Sequence, residues 1–459
     1  MKRKLVFKRI IYLLLLVAIG LGLYYVWFAF PIISGFGAKN ACSCIFIQGR
    51  TKEDVMKKEL GSFPLSLGKI DVDLKDSSVS GSVLGLARRK AIYRNGLGCT
   101  LISDYPEATV RAQTFQLPPQ IPVKDTSVWL TGNSQIDSLT TPFNQAVLDK
   151  AMQVAFANAY GDKAPHTSAV LIVLDGKVVA EKYAPGYNAE TPFLGWSMAK
   201  SVTGALVGLL VKEGKLDITK PAPISAWTSA DDNRKKITLE HLLQQTSGLN
   251  FIENYSSYSS ATNMLFYKGN MAAYVAGLPQ KVQPGLQFYY SSGNSNLLSQ
   301  IIRQTVGNSS YHSFPYTQLF HKIGMRHTVL EPDASGTFVG SSYIHASARD
   351  YARFGLLYLN NGVWNGDSLL PVNWVQASVI APPSNKLKNY GYQFWLNGYD
   401  EDEPQKKAYP EAPADMFMAN GYGGQRIYII PSKRLVMVRL GVNRFDEHLF
   451  LKTVLESIP

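Results

Sequence analysis

Ile10 to Phe30 is a run of 21 residues without a single charge. At about 1.5 Å per residue a helix of that length spans roughly 30 Å, the thickness of a bilayer's hydrocarbon core. Lys2, Arg3, Lys4, Lys8 and Arg9 precede it, while only Lys39 and Arg50 follow over the next twenty residues. Tyr24, Tyr25 and Trp27 lie toward its far end, where aromatic side chains favour the membrane interface. This asymmetry predicts a basic cytoplasmic tail over 1–9, an anchor over 10–33 and a body across the membrane. A cleaved signal peptide is the competing reading, but the run is longer than the usual apolar core of such peptides and no small-residue cleavage site follows it. No second run of this length and purity exists.

The remaining composition excludes several classes. Of 459 residues, 46% are apolar and 17% charged, which is neither a disordered nor a fibrous chain. The net charge of +12 is partly the tail's, and the rest is spread without a basic block, so no nucleic-acid groove is expected. Three cysteines do not make a disulfide scaffold. Cys42 and Cys44 are poor partners for each other. One of them can pair with Cys99, and Cys44–Cys99 is the pairing we expect, unless all three stay as thiols. Seven dispersed histidines show no ligand spacing, so neither a metal nor another cofactor is expected.

From 41 to 113 the chain reads as a small β-rich region. Ile70, Val72 and Leu74 alternate with Asp71 and Asp73, and Asn95-Gly96 separates two strand-like stretches. A proline-containing linker over 114–140 follows. The main domain, 141–459, opens with a helical pattern to about residue 159. A hairpin around Asp175-Gly176 comes next, and another around residues 431–434 lies near the far end. Helical patterns between them cover roughly 197–213, 238–246, 293–306, 345–360 and 371–379. Strands at both ends with helices between predict an α+β layout built on an antiparallel sheet.

Gly195-Trp196-Ser197-Met198-Ala199-Lys200 opens the first of those central helices. Ser197 and Lys200 are three apart and share a face at its amino end. A serine hydroxyl is a weak nucleophile until a base takes its proton, and a lysine is that base only when burial or neighbouring dipoles lower its pKa. The helix amino terminus favours a developing oxyanion, and the Ser197 N–H is one natural donor to it. Alone the spacing is weak evidence, because a capping serine followed by a surface lysine gives the same pattern. Gly195-x-Ser197-x-Ala199 also resembles a relaxed nucleophile elbow, but that reading needs a parallel β/α alternation that is absent here.

Context decides between these. Residues 237–249 (ITLEHLLQQTSGL), Tyr289-Tyr290-Ser291-Ser292 after Pro284-Gly285, and Ala419-Asn420-Gly421-Tyr422-Gly423-Gly424 follow in order. Gly324-Met325, residues 347–355 (SARDYARFG) and 391–395 (GYQFW) add to them. Together they resemble the serine β-lactamase and penicillin-binding-protein superfamily, in particular the class C β-lactamase-related hydrolases, among them esterases and 6-aminohexanoate-dimer hydrolases. The likeness covers about 145–459. It implies a β-lactamase/transpeptidase-like antiparallel sheet flanked by helices, with a helical insertion. It also implies Ser197 as acylated nucleophile, Lys200 as base and Tyr290 as proton shuttle. Further implied are a second oxyanion donor at Gly421 to Gly423, foremost Tyr422, with Asn420 beside it, and a substrate-facing tyrosine at Tyr255 or, second, Tyr258.

Two departures bear on substrate. Ser292 stands where the family's Y-x-N motif has Asn, and Ala419 stands where K-T-G has Lys. The missing lysine argues against penicillin or D-Ala-peptide carboxylates and leaves ester or amide hydrolysis. DD-peptidase or β-lactamase chemistry, and a non-catalytic cell-wall binder or sensor, are the alternatives. His241, Arg349 and Asp350 are read as structural.

Overall fold

The computed structural model describes residues 2–119, 141–157, 166–229 and 231–458. Most of the expected linker, 120–140, lies outside them. The chain divides into two compact units. One comprises residues 1–95, 99–110 and 252–269; the other holds the remainder.

The N-terminal unit is organised by one 45-residue helix, α1 (Lys2–Phe46). Its side chains are exposed from Val6 to Leu23 and buried from Phe30 onward. Pro31, Gly35 and Gly37 are poor helix formers, yet the helix continues beyond 33, the expected end of the anchor. Tertiary packing overrides that propensity, because small residues let a sheet press against the helix backbone. A Cβ on Gly81 would collide with the Ser34 carbonyl, and one on Gly37 would stand 2.9 Å from the Ile70 side chain. The sheet is antiparallel and four-stranded in the order β1 (Gly68–Asp73), β2 (Ser78–Val83), β3 (Leu86–Arg94), β4 (Gly98–Ile102). Ile70 faces the helix, while Leu74 falls beyond β1 in an exposed turn. The Asn95-Gly96 signal sits in the β3–β4 loop.

Cys42 forms the disulfide with Cys99, so the expected Cys44–Cys99 pairing is wrong. Residues two apart on a helix point about 200° from each other, so only one cysteine can face the sheet. Cys44 stays a buried thiol whose sulfur accepts from Arg50 Nη1 at 3.6 Å. Residues 252–269, with the helix Ser260–Tyr267, also belong to this unit. Phe266 packs against Gly35 and Phe36 of α1, and the Tyr267 hydroxyl donates to the Phe28 carbonyl at 2.9 Å.

The larger unit runs in chain order through α2 (Gln145–Ala157), β5 (His166–Leu174), β6 (Lys177–Tyr183), β7 (Phe193–Leu194) and α3 (Met198–Lys212). It continues with α4 (Ser292–Val306), β8 (Thr328–Leu330), β9 (Ile344–Ala346), α5 (Ala348–Leu359) and β10 (Trp395–Leu396). β11 (Phe417–Gly421), β12 (Gln425–Ile430), β13 (Leu435–Val442) and α6 (Glu447–Glu456) complete it.

Its main sheet has six antiparallel strands in the order β10-β11-β12-β13-β5-β6. The last strand, β13, therefore pairs with the first, β5, and both predicted hairpins lie in one sheet. Val170, Ile172 and Leu174 point to one face and pack with Leu148, Ala151 and Val154 of α2 and Phe450 and Val454 of α6. On the other face Gly355 of α5 lies close to Ile427 and Val436. The fold is the α+β, β-lactamase/transpeptidase-like arrangement, with the helical insertion between β7 and β11.

Candidate active site

Ser197 is the residue before α3, and its backbone is already near-helical, at φ −64° and ψ −4°. The turn presenting it is unusual. Trp196 has φ +48°, a conformation that β-carbon residues rarely adopt and that clusters at functional sites. The Gly195 N–H donates to the Ile344 carbonyl at 2.8 Å, which ties this turn to β9. A Cβ on Gly421 would collide with the Gly195 carbonyl. The end of β11 thus reaches the Ser197 turn only because residue 421 is glycine.

Lys200 is 1% exposed, and its Nζ gathers the centre. It donates to Ser197 Oγ at 3.1 Å, Ser292 Oγ at 3.0 Å and the Ser341 carbonyl at 2.8 Å. It also lies 4.9 Å from the Tyr290 ring centroid. Four residues spread over 145 positions of sequence meet at one nitrogen. The structure thereby brings together Ser197, Lys200, Tyr290 and Ser292 of the sequence-predicted set. Ser292 fills the Asn place of the family motif by direct contact with the lysine.

Tyr290 is held in an aromatic cluster, 5.6 Å from Tyr390 and 5.3 Å from Trp395 between ring centroids. Its backbone is fixed by Gln245, whose carbonyl accepts from Tyr289 N at 2.9 Å and whose Oε1 accepts from Ser291 N at 3.1 Å. Asn294 Nδ2 donates to the same Oε1 at 2.8 Å, and Ser247 Oγ donates to Asn294 Oδ1 at 2.8 Å. The QQTSG block is therefore a clamp on the start of α4. Gln393 is a second clamp. Its carbonyl accepts from Ser201 Oγ, its Oε1 from Ser295 Oγ, and its Nε2 donates to the Leu243 carbonyl. It fastens α3 to α4.

The turn between β11 and β12 carries the remaining predicted residues. Tyr422 is 71% exposed, and its ring meets Trp196 edge-on at 5.8 Å. Gly423 and Gly424 have φ of +76° and +86°. Arg439 Nη1 donates to both of their carbonyls at 3.1 Å, while its Nε and Nη2 donate to Thr167 Oγ1. Burial among these neutral acceptors pulls Arg439 down to about 9. Asn420 Oδ1 accepts from Arg426 Nη1 at 2.6 Å. Arg426 pairs in turn with Glu447, through Nε to Oε1 at 2.7 Å and Nη2 to Oε2 at 3.1 Å. Burial alone raises the Glu447 carboxyl, but Arg426 and the Tyr428 hydroxyl outweigh it and hold the group below its ordinary value.

Other sequence expectations resolve locally. Tyr255 lies in the N-terminal unit, half-exposed, with its hydroxyl donating to Glu253 at 2.6 Å. Tyr258 is in the same unit and packs against Phe28 with the rings tilted and their centroids 4.6 Å apart. His241 closes a capping box with Thr238: its Nδ1 accepts from Thr238 N. Arg349 pairs with Glu181, and the buried Asp350 accepts from His327 N and Thr328 Oγ1. Sequence reasoning did not single out Ser341, Arg426, Arg439 or Trp196, and it named Gln245 and Gln393 only as motif letters. A carbonyl ligand such as Ser341's leaves no signal in residue type.

With the geometry in place, comparison with known proteins adds the family. The Beta-lactamase family matches residues 152–450. The 6-aminohexanoate-dimer hydrolase of Paenarthrobacter ureafaciens is 23% identical over 297 residues, 60% of this chain and 72% of that one. A Bacillus anthracis protein solved under the name 6-aminohexanoate-dimer hydrolase superposes with a TM-score of 0.54 at 22% identity, covering 87% of this chain and 94% of that one. A family VIII carboxylesterase structure gives 0.53 at 14% identity, over 69% of this chain and 98% of its own. The chain belongs to the Beta-lactamase family, a fold whose named relatives here are hydrolases.

Proposed function

We propose that this protein is a membrane-anchored serine hydrolase of ester or amide bonds, acting through an acyl-enzyme on Ser197. The observation that carries the reading is the buried Lys200 Nζ within 3.1 Å of Ser197 Oγ, with Ser292 and Tyr290 around it. With Lys200 unprotonated the bond reverses, and Ser197 Oγ gives its proton to Nζ as the oxygen attacks the acyl carbonyl. The oxyanion that forms is received by the backbone N–H groups of Ser197 and Tyr422. Tyr290 relays the proton to the departing alkoxide or amine, which leaves as alcohol or amine. Water then attacks the acyl–Ser197 ester, loses its proton to the same pair and releases the carboxylic acid. Tyr255 and Asn420 are proposed as substrate-facing residues.

Relatives named for amide and ester hydrolysis support this substrate class. So does Ala419, fully buried, which offers a methyl where a carboxylate-binding lysine would stand. The exposed apolar half of α1, whose most apolar window has mean hydropathy 2.3, supports the anchor. The basic tail supports placing the catalytic unit on the periplasmic or extracellular side. A small-molecule ester or amide is the proposed partner, with no nucleic acid and no cofactor. The second reading, a cell-wall DD-peptidase or β-lactamase, rests on fold alone.

Intact-mass spectrometry of the full chain, mixed with p-nitrophenyl esters, a fluorophosphonate and benzylpenicillin, tests both. A Ser197-dependent ester burst and fluorophosphonate adduct, absent in Ser197→Ala and without a penicillin adduct, is expected. A lasting penicillin adduct would favour the second reading. No adduct at all would leave a non-catalytic binder.

A further inference from the structure

The end of the N-terminal unit nearest the apolar half of α1 is itself apolar. Phe30 and Ile33 of the helix cluster with Val83, and Val26 and Ala87 pack on them. Farther along the helix Phe46 stacks on Tyr93, and Cys42 is bonded to Cys99. The tip of the β2–β3 hairpin therefore lies where α1 passes from exposed to buried, and the β3–β4 end lies away from it. At that tip Leu84 is 79% exposed and Leu86 54%. Leu67 is exposed just before Gly68, which pairs with Val83 at the same end of the sheet. Tyr258 against Phe28, and the Tyr267 hydroxyl on the Phe28 carbonyl, complete a collar around the helix. Arg89 sits 5.5 Å over the Tyr267 ring, and Arg88 beside it is exposed.

Leu84 is costly in two ways. Val83 pairs with Leu86, so Leu84-Gly85 is a two-residue turn with φ of +50° and +76°. Such turns favour Asn or Asp at the first position, and a leucine there meets both backbone strain and water. A hydrophobic tip of this kind points to a partner that removes it from water.

Helix length identifies that partner. From Ile10, the first residue after the basic tail, to Phe28, where the collar closes, α1 rises roughly 28 Å. That nearly equals the ~30 Å hydrocarbon core and leaves no spacer between bilayer and collar.

We propose that the collar is a lipid-interface seat: Leu84 and Leu86 enter the headgroup–acyl boundary, Tyr258 and Tyr267 lie at headgroup level, and Arg88 and Arg89 meet lipid phosphates. The proposal rests on the reading of α1 as a membrane anchor. The test uses the full chain in vesicles of phosphatidylcholine and phosphatidylglycerol, with an environment-sensitive fluorophore on Leu84→Cys or, at the opposite end of the sheet, on Leu74→Cys. Shallow doxyl-labelled lipids should quench the probe at 84 several-fold more than at 74, with a blue-shifted emission only at 84. Co-flotation with vesicles but equal quenching at both positions would overturn the seat and leave the anchor standing. Failure to co-float would overturn the anchor reading and the seat with it.

Discussion

Each unit contains a hairpin closed by two residues in the left-handed region, Leu84-Gly85 in the N-terminal unit and Asp175-Gly176 in the catalytic one. The backbones are nearly the same, with first-position φ of +50° and +49°. The side chains are not. Asp175 is buried, accepting from Thr141 Oγ1 at 2.7 Å and from Arg434 Nε at 2.6 Å. Leu84 points into solvent. The catalytic unit draws Lys200, Arg426 and Arg439 inward and gives each hydrogen-bond acceptors. The N-terminal unit leaves apolar groups outside at the end where its helix emerges. A dry, hydrogen-bonded interior suits the first unit to chemistry, and the exposed apolar end of the second is what the proposed lipid seat would cover.

If that division is right, damage to one unit should leave the other's property intact. The largest effect should come from Ser197→Ala, which lowers ester turnover on the order of 10⁴- to 10⁶-fold. Its melting temperature should fall only slightly, because Ser197 makes no capping bond to α3 and Lys200 Nζ keeps Ser292 Oγ and the Ser341 carbonyl as acceptors. A strong loss of stability would mean that Ser197 is structural.

Cys42→Ser is the reciprocal cut. It opens a bridge between residues 57 apart and should destabilise the N-terminal unit by about 4 kcal/mol on the loop-entropy estimate. Ester hydrolysis per folded molecule should stay unchanged, as denaturant unfolding followed alongside activity would show. Parallel loss of both would show that the two units unfold as one cooperative block.

Within the catalytic unit, Glu447→Gln should cost about 3–5 kcal/mol near pH 7, because it leaves the buried Arg426 without its carboxylate. Glu447's folded pKa lies below its ordinary 4.5, so the unfolded chain binds more protons through that window. The stabilisation is fully present above about 4.5 and disappears as pH falls through the folded value. The variant should therefore show a flatter acid limb in a melting-temperature profile, and an unchanged limb would count against the pairing. The smallest effect should come from Leu84→Asn. Relief of the strained tip should stabilise the N-terminal unit by about 0.5–1 kcal/mol in detergent. Destabilisation would show that contacts within the fold, rather than a lipid surface, account for the leucine.

Legibility followed the range of the interactions. The Asp175-Gly176 hairpin, the α3 pattern and the Ser197–Lys200 pair depend on neighbours in sequence and were readable. The continuation of α1 past residue 33 was not, since it runs against the local propensity of Pro31, Gly35 and Gly37 and only close packing against the sheet allows it. The choice of Cys42 over Cys44 was unreadable for a related reason, because helix rotation matters only once a sheet lies on one side. Tyr255 was placed by likeness alone, and its segment proved to belong to the N-terminal unit.

By itself, then, the sequence determined a chain with one charge-free helix, an α+β body and a serine and lysine one turn apart at a helix start, because period and spacing are local properties. Only the tertiary fold decides that Lys200 meets the Ser341 carbonyl and Ser292, that Gln245 and Gln393 clamp α3 and α4, and that Arg439 holds the Gly423–Gly424 turn. Those partners lie up to 192 residues apart, and only packing of the whole chain brings such groups within hydrogen-bond distance.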